Sequence, residues 1–419
     1  MEHSSCPHVL DPAGDDIHAE ARRLRDHGPV ARVELPGGVV AWSVTSHRRL
    51  RELLADNRVS KDPRQHWPSW INGDVPENWA LASWVAVRNM FTAHGREHRR
   101  LRSLVSTAFT PRRIAAMRPY VEAVTTELLD ELAAPSARGG VDLRERFAYP
   151  LPISVICHLF GVPDEARPGL RRIVDGVFDT SATPEQVQAT QHELYSLLNE
   201  LVATKRADPG DDLTSVLLRA RDENEGKLDE RELVDTLILL IGAGYETTVN
   251  LLDHAITAML RHPEQLALVR DGSVSWEQVV TETLRWQAPL ANVPLRYAIE
   301  DIEIDGVVIR AGEPILASYA AAGRDPERYE RPDEFDVTRP DNGDHLAFGH
   351  GAHYCLGAPL ARLEAEIALP ALFDRFPGMR LAVPDSELRP AGGFIANGHA
   401  SLPVMLDGLP NPRGGSATR

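Results

Sequence analysis

The chain has 419 residues, of which 43% are hydrophobic, and a formal net charge of −16. That charge argues against a nucleic-acid partner, which would ask for clustered basic surface, and no apolar run approaches the roughly 18 residues that a membrane span needs. Three cysteines (Cys6, Cys157, Cys355) do not make a disulfide framework. The first residues, MEHSSCPHVL, lack the basic start and apolar core of a signal peptide. A cytoplasmic location and no membrane contact are therefore expected. Length alone would allow two or three domains. No Gly/Ser or Pro tract and no repeat marks a seam, so one unit over residues 17–406 is expected, with loose ends at 1–16 and 407–419.

Taken in order, the pattern predicts a short helix over 19–26, closed by His27-Gly28-Pro29. Alternation around Pro36-Gly37-Gly38 predicts a hairpin with strands 30–35 and 39–44. A helix is expected over 46–55. Residues 60–92 show little periodicity but carry Trp67, Trp70, Trp79 and Trp84. Long loops in compact proteins are usually functional or disordered, and aromatic-rich ones are rarely disordered. The same rings would also serve simply to pin the loop to the core. Residues 94–109 hold His98 and Arg102, four apart and so on one helical face. Helical patterns then run over 113–133, 151–160, 163–179 and 184–206.

The longest helical pattern spans 229–262. Asp229 and Glu232 form a capping box at its start, and His262-Pro263 ends it. Inside it stands Ala243-Gly244-Tyr245-Glu246-Thr247-Thr248. Gly242 and Gly244 each cost about 1 kcal/mol in a helix interior relative to Ala. Such a conflict with local propensity is a fair pointer to function; a packing notch of small residues is the plain alternative. Glu282 and Arg285 share a helical face over 275–287. Strands follow at 295–298, 302–304, 307–309 and 314–318. Near the end, residues 348–357 read F-G-H-G-A-H-Y-C-L-G. Glycines let this backbone turn tightly and approach a flat ligand. The helix expected over 358–375 aims its amide-rich start at Cys355, which favours a thiolate suited to a soft or borderline metal. An inert buried cysteine is the alternative reading.

These stretches together resemble the cytochrome P-450 superfamily, in its soluble bacterial branch. The resemblance runs from about Ala19 to Met405. Its loop F-G-x-G-x-H/R-x-C-x-G, its helix motif A/G-G-x-D/E-T-T and its E-x-x-R are all met, in order. The resemblance implies a fold that is mostly α with a smaller β part, with the long helix above a haem and the Cys loop beneath. It implies haem b with Cys355 as axial ligand, and dioxygen as co-substrate. His98, Arg102, Arg296 and His353 would hold the propionates, with His345 as a further candidate. In the oxygen-binding kink, Thr247 would hydrogen-bond the bound oxygen and Glu246 would feed protons inward. Residues 60–92 would lie over the haem, and 163–206 would form a lid. Glu282–Arg285 would be a buried brace, with Arg339 as its third member. Electrons would come from NAD(P)H through a ferredoxin and its reductase, docking on His98, Arg99, Arg100, Arg102, Arg112 and Arg113. A monomer acting on a bulky apolar secondary metabolite is expected. A peroxide-driven or oxidative-coupling enzyme is the runner-up, and a haem sensor or carrier the reading from another class.

Overall fold

The computed structural model describes residues 6–107, 109–134, 140–222 and 228–406, with the side chains of 220–222 excepted. The tail 407–419 and residues 1–5 lie outside the described residues.

Helices dominate, and a six-stranded sheet forms the smaller part. The hairpin Val30–Leu35 and Val39–Val44 pairs in register from Val30↔Val44 to Leu35↔Val39. Its turn works because Gly37 and Gly38 both take φ of +79°, which side-chain-bearing residues avoid. Val39–Val44 runs parallel to Pro314–Ser318, which pairs antiparallel with Asn292–Ala298, and Val59–Ser60 closes that edge. Pro294 sits inside Asn292–Ala298 and has no N–H to give the ladder, so the register shifts between Val293 and Arg296. A second hairpin, Ile302–Ile304 with Val307–Ile309, turns at Asp305 and Gly306, both at positive φ.

The helix Glu230–Arg261 is the longest element. Its capping box is present as expected: Asp229 accepts from the Glu232 N–H and Glu232 returns the bond. It is apolar on most sides and buried along most of its length, packing against Pro150–Phe160, Trp276–Trp286 and Ala358–Arg375.

The N-terminal stretch differs from expectation. Residues 6–16 are tied down, not loose. His8–Val9 pairs with Val33 and Glu34, Leu10 is buried, and the Thr180 hydroxyl donates to the Pro12 carbonyl. A two-residue strand gives too little periodicity to be read from sequence. The helix Leu213–Asp222 was likewise not anticipated, and the 113–133 pattern divides into Pro111–Ala116 and Arg118–Ala133. Pro119 explains the break, since proline belongs in the first turn of a new helix. Phe394 and Ile395 are buried but lie in no strand; Asn292 holds the Phe394 carbonyl through Nδ2 at 2.7 Å. Among the described residues no helix is long and apolar enough to cross a membrane.

Candidate active site

The Cys355 loop is built by glycine. Gly349 and Gly351 take φ of +72° and +70°. A Cβ on Gly351 would stand 2.6 Å from the Leu54 carbonyl oxygen, so the position demands glycine twice over. The Cys355 N–H donates to the Phe348 carbonyl at 2.8 Å and closes the turn. The helix Ala358–Arg375 starts just beyond. Cys355 is exposed, yet the surrounding protein still desolvates its sulfur. Burial pushes the thiol up; the Gly357 and Ala358 N–H groups and the Arg102 guanidinium pull against it. The helix-start donors are thus where the sequence put them. Burial works against these donors when no cation sits on the sulfur. A coordinated metal ion deprotonates a thiol outright. Among the described residues no group of three or more His, Cys, Asp or Glu could hold a metal.

The four residues assigned to propionates lie close together. The His98 and His353 rings lie 4.0 Å apart between centroids, tilted by 39°. Arg102 donates to the Tyr354 carbonyl at 2.7 Å, and Arg296 is buried beside Tyr319. Lys61 joins them, and the sequence reading missed it. It is 2% exposed, donates to the Pro294 carbonyl at 3.2 Å, and its Nζ lies 3.6 Å from the Phe91 ring centroid. Burial, with Arg296 adding to it, drives the Lys61 ammonium well below its ordinary value. Burial and then Arg102 bring His98 down to about 4. None of the five is ion-paired to a carboxylate among the described residues. His98 Nε2 and Arg296 Nε are buried with no hydrogen-bond partner there. Such orphaned donors are rare and ask for an anionic acceptor. A haem bearing two carboxylates beside a thiolate-ligated iron fits this donor set. Lys61, one of only three lysines in the chain, carried no periodic signal to announce it. His345 does not belong to the group: Arg362 and the Ala347 N–H engage its ring.

The helix motif reads differently residue by residue. Gly244 is the packing notch, because a Cβ there would overlap Ile156. Gly242 has nothing within 4 Å of such a Cβ, and Ala243 is exposed in mid-helix. These two positions and half-buried Thr247 mark an open face on an otherwise buried rod. The expected opening of the helix is absent: Glu230–Arg261 contains no non-helical residue. The Thr247 hydroxyl instead donates to the Ala243 carbonyl at 2.9 Å, a back-bond that bends helices mildly without breaking them. Glu246 is buried and pairs with Arg144 at 3.1 Å. Burial pushes its carboxyl up to about 7, against the pull of Arg144. Its Oε2 has no partner among the described residues.

Of the tryptophans, Trp67 is buried and stacks on Tyr297 and Trp70, and Trp79 donates to the Pro36 carbonyl. These pin the loop. Trp84 ties it to the helix Arg167–Phe178 through the Val177 carbonyl at 3.2 Å and an edge contact with Phe178. A cavity of about 290 Å³ lies where the loop meets Pro184–Ala207 and the long helix, with a mixed lining that includes Trp70, Leu194 and Ile238 beside Arg64, Glu77 and Arg231. Asp235 joins all three elements there: it accepts from the Arg88 N–H at 2.6 Å and the Tyr195 hydroxyl at 2.5 Å.

Glu282 and Arg285 are fully buried and doubly bonded, and Arg339 reaches Glu282 at 3.5 Å as the third member. Three residues of the expected basic dock are committed elsewhere: His98 is buried, Arg100 is engaged by Glu97 and Glu232, and Arg102 bonds the Tyr354 carbonyl. Arg99, Arg112 and Arg113 remain exposed.

Comparison with known proteins agrees with this geometry. The family model for Cytochrome P450 matches residues 184–271 and 276–387. The chain is 48% identical over 404 residues to a 2-hydroxy-5-methyl-1-naphthoate 7-hydroxylase of Streptomyces carzinostaticus, across 96% of this chain and 98% of that one. It is 39% identical to a 6-deoxyerythronolide B hydroxylase of Saccharopolyspora erythraea, across 96% and 99%. The structure of CYP154A1 from Streptomyces coelicolor A3(2) superposes with a TM-score of 0.91 at 55% identity, covering 95% of this chain and all of that one. A cysteine at a helix start amid unanswered cations, on a chain similar over nearly its whole length to such hydroxylases, makes it a member of the cytochrome P450 family.

Proposed function

We propose that this monooxygenase hydroxylates a C–H bond of a bulky, largely apolar secondary metabolite, taking dioxygen as co-substrate. The observation that carries the reading is the donor cluster around the Cys355 loop, with Lys61, His98 and Arg296 buried and none of its members ion-paired to a carboxylate among the described residues. Relatives named for a naphthoate and for a macrolide core support the substrate class.

When bound, the haem supplies the activation of dioxygen, and an anionic sulfur ligand favours O–O cleavage. The chain's residues do the rest. Cys355 provides the sulfur. His98, Arg102, Arg296, His353 and Lys61 hold the carboxylate edge. Glu246 keeps a proton near neutral pH, where a donor is most useful. Thr247 presents its hydroxyl on the open helix face next to that acid. Rotation away from the Ala243 carbonyl frees the hydroxyl to pass the proton on. Thr247→Ala should leave NADPH consumption running while product per NADPH falls at least several-fold. Full coupling in that variant would remove Thr247 from the proton path.

Electrons are proposed to come from NAD(P)H through a ferredoxin and its reductase. The dock is narrowed to Arg99, Arg112 and Arg113, exposed on two consecutive helices. Local basic surface steers an acidic partner despite a global charge of −16. Arg99→Glu with Arg112→Glu should slow ferredoxin-driven reduction and flatten its salt dependence in stopped-flow traces. Unchanged rates and slopes would move the dock elsewhere.

A further inference from the structure

Glu246 does not stand alone. Arg144, 2% exposed, comes from the helical turn Arg144–Ala148. Its Nη2 donates to Glu246 Oε1 at 3.1 Å. Its Nη1 donates to Asn250 Oδ1 at 2.9 Å and to Asp253 Oδ2 at 3.1 Å. Glu246 and Asp253 are about two turns apart and share one face of the long helix. Asp253 is fully buried, and it accepts twice from His399: from Nδ1 at 2.9 Å and from the N–H at 2.7 Å. The His399 side chain is 17% exposed, so it is the member that meets solvent. Gly398 permits this approach, because a Cβ there would overlap Asn250 and stand 2.9 Å from Arg144 Nη1.

The charges do not close without a proton. Arg144 stays protonated. With Glu246 and Asp253 both ionised, the buried group carries one uncompensated negative charge, which a low-dielectric interior resists. The other neighbours do not supply the missing positive charge. Tyr149 accepts from Arg144 at 3.4 Å, and burial pushes its hydroxyl up to about 12. Burial raises Tyr245 still further. Burial brings His254 down to about 4, and its Nε2 meets the Asn397 carbonyl. Asp175 adds only negative charge, and Arg171 is held by both oxygens of Glu145. Burial would raise Asp253, but His399 and Arg144 outweigh it and hold it at about 2. The one proton that balances the cluster therefore sits on Glu246 or on His399.

We propose that Glu246, Arg144, Asp253 and His399 form one charge-coupled unit that stores a single exchangeable proton, with His399 as its solvent-side port and a positioning residue for the reaction. This rests on the reading of Glu246 as proton donor. When Glu246 gives up its proton, its carboxylate leaves the cluster one charge short, and His399 takes a proton from water. When a proton from solvent reloads Glu246, His399 releases its own proton to water, so the cluster again holds one. Arg144 and Asp253 keep their charges throughout.

The test is a ring-labelled histidine NMR titration of the full-length ferrous–CO protein, with the His399 signal assigned by its loss in His399→Gln. In Glu246→Gln the His399 titration should move to lower pH than in wild type, because the carboxylate that favours the imidazolium is gone. An unmoved midpoint overturns the proposal. In the same protein, His399→Gln should lower product per NADPH above pH 7 and leave it unchanged below pH 6, with the ferrous–CO spectrum intact; a pH profile matching wild type overturns the proposal as well. Failure here with Thr247→Ala still uncoupled strikes only the port. A shifted midpoint with Thr247→Ala fully coupled strikes only the Thr247 reading.

Discussion

Cys355→Ala is expected to abolish the red-shifted ferrous–CO band of haem-thiolate proteins and, with it, all hydroxylation. The sulfur is the only soft ligand the loop 348–357 offers. The loop itself does not depend on the side chain. It is held by the Cys355 N–H to Phe348 bond, by the two positive-φ glycines and by the helix Ala358–Arg375, all of which survive the change. Because Cys355 is exposed, the haem-free variant should unfold within about 0.5 kcal/mol of haem-free wild type. Urea titration of both apoproteins separates loss of ligand from loss of fold. An alanine variant that keeps the band would refute the ligand assignment.

The largest stability effect is expected at Glu282. Its carboxylate holds Arg285 at 2.7 and 2.9 Å, accepts the Asp336 N–H at 3.0 Å, and meets Arg339 at 3.5 Å. Arg285 passes the load on: Nη1 donates to the Gly323 and Pro332 carbonyls and Nη2 to that of Glu334. One pair thus fastens the helix Trp276–Trp286 to two loop segments that precede the Cys loop. Glu282→Ala strands one fully buried guanidinium and exposes a second to unpaired burial. Breaking a buried pair this way costs about 3–5 kcal/mol. Arg285→Lys should fail similarly, because an ammonium cannot serve a carboxylate and three carbonyls from one planar fork. Denaturant midpoints measure both, and a loss below about 1 kcal/mol would show that the pair is not a brace.

The elements that the sequence announced are those whose signals are local. The hairpin 30–44 was legible because its alternation and its Gly-Gly turn agree. The long helix was legible through its capping box and apolar face. Cys355 was legible because glycines and a following helix flank it. What stayed hidden is contact between distant segments. Arg144 meets Glu246 across 102 residues, and His399 meets Asp253 across 146. Nothing in the local pattern at either end marks the pairing. Lys61 escaped notice for the same reason: a bulge at Pro294, on another strand, supplies its acceptor. The helix motif was over-read in one respect. Its glycines split between a packing notch at Gly244 and an open face at Gly242, and the backbone stays helical through both.

The most direct test of the account is iron K-edge X-ray absorption on the purified full-length protein. A single sulfur scatterer in the iron's first shell, lost in Cys355→Ala, is the predicted result. A first shell of nitrogen and oxygen alone in the wild-type protein would contradict it.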